Sequence, residues 1–473
     1  MNKQISMTWT KKKENILFAV YMLGSLMLML VMMIYQPHVD FVSKVPVSPP
    51  DESNRMLIPR YIYNHGALPT GLEEEVRIQG CGFSYGLYNT LPYIFQGLLM
   101  RLVGLFTTSD LVLLYVARGV NVVFGMMMAW VVYKLGFRLF KDTRFRWLFC
   151  FAVMYLPQSL FVHTYVNTDS CCMLSTAMIL YALVWAYQEK FNYKNSTCLA
   201  VGIILCALSY YNAYGYILCS VLLFVAFYIQ KDEQKWVFRF KEMLRYGLFI
   251  SAVVLVGAGW WFVRAYFVLD GDILGLQTKE ELSLLYAIEA TSPLNTYSAR
   301  GISVYQMLKE NLFFQCLYDS FIAAYGSLCI RGTYWTYLSY KLFFGAGILG
   351  LIIPSILTWV HSRKLPKFHF KKVFFHLNMI VCMLLPLVIL IRYAYTMDYQ
   401  HQGRYILPAL IPIMYYMVRG IEKLAKIKFG KVEIPNWLVN VGVAFGFFIA
   451  VGSAFVMVFV QALPVYQKLG MML

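Results

Sequence analysis

What most constrains this chain is the recurrence, along nearly its whole length, of apolar blocks of roughly 17–25 residues, each long enough as a helix to cross a hydrocarbon layer of about 30 Å. In lipid no water satisfies the backbone, so each block must satisfy its own N–H and C=O groups, and a helix does so within itself. The residue-by-residue alternation of a membrane barrel is absent. Composition agrees: 60% of residues are hydrophobic and 14% charged, against roughly 45–50% and about 25% in soluble domains. The fold expected is all-α and polytopic, one transmembrane unit over residues 1–473. The first block has a basic flank like a signal peptide, but it is too long and lacks a small-residue cleavage site, so it reads as a retained anchor.

About eleven spans are expected, near 15–35, 111–133, 147–165, 170–188, 196–211, 213–230, 246–268, 340–360, 375–395, 404–420 and 437–462. Between 196 and 230, Asn212 and Gly215 mark either a turn or a kink. The net charge of +17 does not point to nucleic acid, because Lys and Arg gather in alternate short loops. Lys11, Lys12 and Lys13 precede the first span. Lys134, Arg138, Lys141, Arg144 and Arg146 follow, then Lys190 and Lys194, then Lys231, Lys235, Arg239, Lys241 and Arg245. Later come Arg363, Lys364, Lys367, Lys371 and Lys372, and finally Arg419, Lys423, Lys426, Lys428 and Lys431. All fall on the side of the N-terminus, which is therefore cytoplasmic.

The opposite face then carries two long segments, 36–110 and 269–339, and short links at 166–169 and 396–403. Segments this long usually serve function rather than connection. Within the first, 55–64 and 92–105 are amphipathic and aromatic, as helices lying at the interface are. No internal repeat is evident, which counts against an inverted-repeat transporter. Of the ten cysteines, Cys171 and Cys172 are adjacent and make no zinc clip, while Cys81, Cys316 and Cys329 fall in the outer segments and leave room for one disulfide. Asn195-Ser196-Thr197 is a glycosylation sequon on the wrong side to be used.

Three stretches on that outer face carry chemistry. In the first, Pro49-Pro50-Asp51-Glu52-Ser53-Asn54-Arg55 opens an amphipathic helix that continues through Tyr61 to His65. Its acids either serve the helix dipole or supply a carboxylate able to act as general base. Asp169, in Val166-Asn167-Thr168-Asp169-Ser170, lies between two apolar spans, where an acid either caps the next helix or has a function. Arg404, in Gln402-Gly403-Arg404-Tyr405, begins a span beside a glycine. It either snorkels at the interface or meets a phosphate at headgroup level, with Arg392 adding a second charge. Arg118 lies deep in a span and needs a buried partner. Tyr85, Tyr88, Tyr93 and the aromatic run 331–341 suit sugar rings or the interfacial belt.

An N-in first span followed by a long outer loop that opens on Asp-Glu resembles the GT-C superfamily of membrane glycosyltransferases. That superfamily includes protein O-mannosyltransferases and lipid A aminoarabinose transferases. The residues that carry the resemblance are Pro50-Asp51-Glu52, Asn167-Thr168-Asp169-Ser170, and Gln402-Gly403-Arg404-Tyr405 through Leu407-Pro408. The last two look most like a bacterial subgroup with a GRY-x-LP signature. The resemblance implies a GT-C-like fold and sugar transfer, with inversion, from a polyprenyl-phosphate donor. The acceptor would be a cell-envelope glycan, lipid or protein, met at the extracytoplasmic face of a bacterial plasma membrane. Carried over, Asp51 is the catalytic base supported by Glu52, and Asp169 is a second catalytic carboxylate. Arg404, with Arg392, holds the donor phosphate. Arg55, His65, Tyr85, Tyr93, Gln402 and Tyr405 are substrate-binding candidates. No cofactor is required; Mg²⁺ or Mn²⁺ bridging Asp51 and Asp169 is allowed. The His-Pro-Pro-Leu-Tyr segment of several relatives is here Asn89-Thr90-Leu91-Pro92-Tyr93, and no Trp-Trp-Asp motif of oligosaccharyltransferase catalytic subunits is present.

Two other functions use the same features. A transporter or flippase of a lipid-linked glycan needs the phosphate-binding arginine but should place ionisable groups along a path through the bilayer. A polysaccharide polymerase or ligase shares the donor chemistry and differs in the length of the glycan.

Overall fold

The computed structural model describes residues 10–37, 47–88, 90–232, 235–362, 369–429 and 432–470. Asn89, Arg363, Lys364, Lys367 and Lys431, which carry part of the motif and charge reading, lie outside the described residues. In chain order the helices are α1 (Lys11–Tyr35), α2 (Glu52–His65), α3 (Leu91–Gly104), α4 (Asp110–Leu139), α5 (Thr143–Met154), α6 (Pro157–Val162), α7 (Asp169–Glu189), α8 (Tyr193–Ala207) and α9 (Tyr214–Phe227). Then come α10 (Phe240–Val268), α11 (Leu276–Tyr286), α12 (Val304–Glu310), α13 (Phe313–Ile322), α14 (Tyr334–Ser362), α15 (Phe370–Thr396), α16 (Leu410–Ala425), α17 (Asn436–Phe455) and α18 (Leu463–Gly470). Short antiparallel hairpins pair Ile229–Asp232 with Lys235–Phe238 and Ala324–Tyr325 with Ile330–Arg331.

Among the described residues, 7 helices are long and apolar enough to cross a membrane: α1, α4, α7, α10, α14, α15 and the continuous run Asn436–Lys468 through α17, a π-helical turn and α18. The other four expected spans are shorter. The expected 147–165 span is divided into α5 and α6, because Pro157 disfavours helical geometry in the residue before it, and Leu156 is extended there at φ −57° and ψ 123°. The 196–230 region holds a true break: α8 ends at Ala207 and a 3-10 turn, Tyr211–Ala213, precedes α9. The expected 404–420 span begins instead as a 3-10 turn, Gly403–Ala409, before α16. Helices of 14 to 16 residues, as α8, α9 and α16 are, reach about 21–24 Å, short of a full crossing.

Burial follows the expected solvent. α7, apolar on all sides, is the core helix, with Cys171, Leu174, Ala177, Leu180 and Leu183 buried among α4, α8 and α9. α10 presents Leu248, Leu255, Val256, Val263 and Phe267 outward, as a lipid-facing helix does. α14 and α16 cross at Gly347, Gly350 and Gly420, where a Cβ on Gly420 would drive into the Gly347 carbonyl. Small residues at such a crossing let the backbones touch, and packing replaces the hydrophobic drive that lipid removes.

The described loops gather at two ends of the bundle. At one end the basic connections meet: Arg146 pairs with Glu14 at 3.0 Å, Arg138 with Glu189 at 2.8 Å, and Arg245 donates to the Tyr193 hydroxyl at 3.0 Å. At the other end the two long segments join, with Ile288 N–H donating to Gly80 O at 3.1 Å. Gly82 there packs against the backbone of Leu282 and Tyr286, with its φ at +79°. The sequon residue Asn195 is buried, its amide spent in a capping box with Asn192 and on Lys190 O. Cys316 and Cys329 carry no disulfide among the described residues.

Candidate active site

The chain reaches the site through Pro49-Pro50 and turns sharply into α2 at Asp51, whose backbone is left-handed at φ 62° and ψ 6°. Aspartate is among the few side chains that tolerate this region. Its carboxylate does not cap α2. Oδ2 instead accepts from Arg404 Nη2 at 2.6 Å, with the Asp51 side chain 35% exposed and that of Arg404 2%. Glu52 points elsewhere: Arg118 on α4 donates to it twice, from Nε at 2.9 Å and Nη2 at 2.5 Å. The Val166 N–H donates to the same carboxylate at 2.8 Å. The remaining Arg118 donors meet the carbonyls of Met33, Gln36 and Pro37. The deep arginine thus finds its partner, and Glu52 links the start of α2 to α4 and to the 163–168 link.

That link is buried throughout, with Asn167 0% and Asp169 4% exposed, and is held by amide side chains. Asn167 Nδ2 donates to Val162 O and Tyr165 O, both at 2.8 Å, and its Oδ1 accepts from Ser170 N–H at 3.0 Å. Asn121 on α4 donates to Asn167 O at 3.1 Å, and Gln96 on α3 donates to Asn121 at 3.1 Å. Asp169 is the first residue of α7, where the helix dipole favours its charge. Its Oδ2 is buried without a hydrogen-bond partner among the described residues.

Arg404 is delivered by the 3-10 turn that opens the α16 region. Gly403 makes this possible, because a Cβ there would collide with the backbone of Phe321 on α13, and its N–H donates to Ser320 Oγ at 2.7 Å. The glycine beside Arg404 thus serves a helix contact. Besides Asp51, Arg404 Nη2 donates to the Tyr405 hydroxyl at 3.0 Å. Its Nε and Nη1 are buried with no partner among the described residues. Tyr165 faces the guanidinium, and the charge of Asp169 reaches it as well.

A second buried arginine completes the centre. Arg55, one turn into α2 and 4% exposed, donates from Nη1 to Thr168 Oγ1 at 3.2 Å and to the Tyr93 hydroxyl at 3.3 Å. It lies over the Tyr85 ring at 4.8 Å. Burial works against the Arg55 cation, but Tyr93, Tyr85 and Asp169 outweigh it and hold its pKa above the usual value. Burial, then the Asp51 charge, pushes the Tyr85 phenol well up, leaving it a neutral donor. Two carboxylates and two guanidinia therefore face one another, lined by Tyr85, Tyr93, Tyr165, Tyr210 and Tyr405. Among the described residues each acid faces an arginine, and no group of three His, Cys, Asp or Glu gathers there.

Three expected site residues are not gathered here. His65 lies at the far end of α2, about 20 Å along it, bonded to Glu75 at 2.9 Å and exposed. Arg392 is on the exposed face of α15, because Tyr393 takes the inward position. Gln402 adjoins the centre but spends its amide on Gln400 at 3.2 Å. Sequence reasoning missed Tyr165, Thr168, Tyr210 and Lys279. Thr168 lies inside a motif already singled out and Tyr165 directly before it; Tyr210 and Lys279 carry no local signal.

No protein-family model matches the sequence, and no curated protein matches it. Solved structures do. The oligosaccharyltransferase of Archaeoglobus fulgidus in its apo form superposes with a TM-score of 0.53 at 14% identity, over 97% of this chain and 57% of that one. The archaeal oligosaccharyltransferase AglB from the same organism, in complex with an inhibitory peptide and a dolichol-phosphate, gives 0.51 at 12% identity, over 96% and 56%. The arabinofuranosyltransferase AftD from Mycobacteria gives 0.51 at 12%, over 97% and 27%. The chain spans just over half the length of the oligosaccharyltransferases it matches. At these identities the likeness is one of fold alone.

Proposed function

We propose that this protein is a glycosyltransferase that moves a monosaccharide from a polyprenyl-phosphate-linked donor to an acceptor hydroxyl or amine at the extracytoplasmic membrane face, with inversion. One observation carries the reading: a buried arginine, Arg404, with two donors unpartnered among the described residues, ion-paired to a partly exposed carboxylate, Asp51. Donors fixed in a water-poor site suit the charge that develops on a leaving phosphate. A nearby carboxylate suits proton removal from the attacking acceptor.

In the step proposed, the acceptor oxygen or nitrogen bonds to the anomeric carbon as the bond from that carbon to the phosphate oxygen breaks. The acceptor proton passes to Asp51, and the electron pair leaves with the polyprenyl phosphate, held by Arg404. Donor binding also activates the base. A phosphate that takes Arg404's charge weakens its hold on Asp51 and raises the carboxylate's affinity for a proton. Asp169 and Arg55 set the field around the donor, with Tyr85, Tyr93 and Tyr405 as sugar-facing walls. Support comes from the GT-C resemblance and from the grouping of these charges in one cluster, rather than along a path through the bilayer as a flippase would need.

The test supplies purified protein with undecaprenyl-phosphate monosaccharides and acceptor, and follows release of undecaprenyl phosphate. Unchanged turnover in Asp51→Asn removes the base, and full donor binding by Arg404→Ala removes the phosphate role.

A further inference from the structure

A third cation lies beside this centre. Lys279, on α11, is only 9% exposed. Its ammonium sits 4.6 Å from the ring of Phe83, 5.6 Å from Tyr88 and 5.4 Å from Tyr393. Among the described residues it has these ring contacts and neither a hydrogen bond nor an ion pair. Lysines ordinarily snorkel to water, and three ammonium protons without an acceptor are costly to bury. The groups acting on it are Asp398, Cys81 and Glu280, with Tyr88 and Tyr393. Asp398 is exposed and accepts from Gln400 at 2.7 Å, and Glu280 is exposed on α11 itself, so neither closes on the ammonium.

The surroundings are built rather than incidental. Asp272 Oδ2 accepts from Thr278 N–H at 2.8 Å and fixes the first turn of α11. Gly275, at φ +66°, packs directly on the Leu87 carbonyl. The cage adjoins the reaction centre on two sides. Tyr88 is 6.3 Å from Tyr85, which underlies Arg55, and Tyr393 lies within the field of Asp51 and Tyr405. Tyr211 stands edge-on to Tyr88 at 5.7 Å, extending an aromatic wall of the kind that receives the C–H face of a sugar ring.

We infer that Lys279, Phe83, Tyr88 and Tyr393 form a subsite for a sugar bearing an acid group, the ring set against the aromatic faces and the oxyanion on the ammonium. The inference rests on the glycosyl-transfer reading and names the class of sugar that reading leaves open. The oxyanion is either the carboxylate of a uronic acid or a phosphate ester on the sugar.

The experiment uses the full-length protein in detergent and compares binding of methyl glucoside, methyl glucuronide and glucose 6-phosphate by saturation-transfer NMR. Wild type should hold one acidic probe about ten- to hundredfold more tightly than the neutral one, and which probe it prefers identifies the oxyanion. Lys279→Met should lose the preference and Lys279→Arg keep it. Because burial lowers the Lys279 pKa, the preference in wild type should also fade as pH rises through that lowered value, a readout that survives even if Lys279→Met fails to fold. Equal affinities in wild type, or a preference untouched by Lys279→Met, overturn the subsite and leave a packing cation. Undecaprenyl phosphate binding by Arg404→Ala, measured alongside, judges the donor reading separately.

Discussion

Arg118, in the middle of α4, donates two hydrogen bonds to Glu52, the first residue of α2, and both side chains are withdrawn from solvent, at 0% and 8% exposure. Removing one member of such a pair strands the other's charge, which costs about 3–5 kcal/mol, while replacing both with apolar residues is often near neutral. Glu52→Gln should therefore lower unfolding stability in detergent by an amount of that order. The Glu52→Met, Arg118→Met double variant should cost clearly less than the two single methionine changes summed. Strict additivity would mean that the pair is not coupled.

Gly403 answers a different demand. Any side chain there meets the Phe321 backbone of α13, so Gly403→Ala must push the turn outward and carry Arg404 with it. Overpacking of this kind costs about 1–3 kcal/mol. The expected signature is weakened undecaprenyl phosphate binding that exceeds the loss seen for an equally destabilising change far from the turn. Binding unchanged from wild type would show that Arg404 does not need this placement.

The long spans were legible because hydrocarbon thickness demands long contiguous apolar sequence, as in α4, α10 and α15. Pro157 was equally visible, yet the 147–165 block reads as one span because composition cannot say that the 163–168 link is held by Asn121 and Asn167. Asp51, Asp169 and Arg404 were legible as short motifs on one face, and the structure brings them together. The division of labour between Asp51 and Glu52 was not legible. Adjacent residues point apart on entering a helix, and only Arg118, 66 positions away, decides which acid is engaged. Lys279 lay beyond reach because its cage is assembled from Phe83, Tyr88 and Tyr393, on two distant segments.

Asp272 supplies a pH dependence with a definite sign. Burial alone would raise its pKa, but hydrogen bonds from Thr278, Leu276 and Gly275 outweigh it and hold the carboxyl below its usual value. A carboxyl lowered in the folded state adds stability above its unfolded pKa and loses it as pH falls through the folded one. Acidification into that range should loosen α11 before the bundle melts, read as faster amide hydrogen exchange at Thr278 and Lys279. In Asp272→Asn that exchange should already be fast at neutral pH and no longer respond to acid. An acid response unchanged in the variant would assign it to another group.

The Asp51–Arg404 pair makes the last prediction the most discriminating. Both a donor phosphate and Asp51 want the same guanidinium, which holds Asp51 at 2.6 Å from Nη2. Asparagine keeps the shape and tolerates the left-handed backbone at φ 62°, but it surrenders the charge. Asp51→Asn should therefore lose turnover by about 10²–10⁴-fold, the range of a general base. It should at the same time bind undecaprenyl phosphate more tightly, by about tenfold where one charged hydrogen bond of roughly 1.5 kcal/mol no longer competes. A variant that merely disorders the site loses both. Weaker phosphate binding in a folded Asp51→Asn protein would mean that the carboxylate positions Arg404 instead of competing for it, and the proposed release of the base on donor binding would fall with that result.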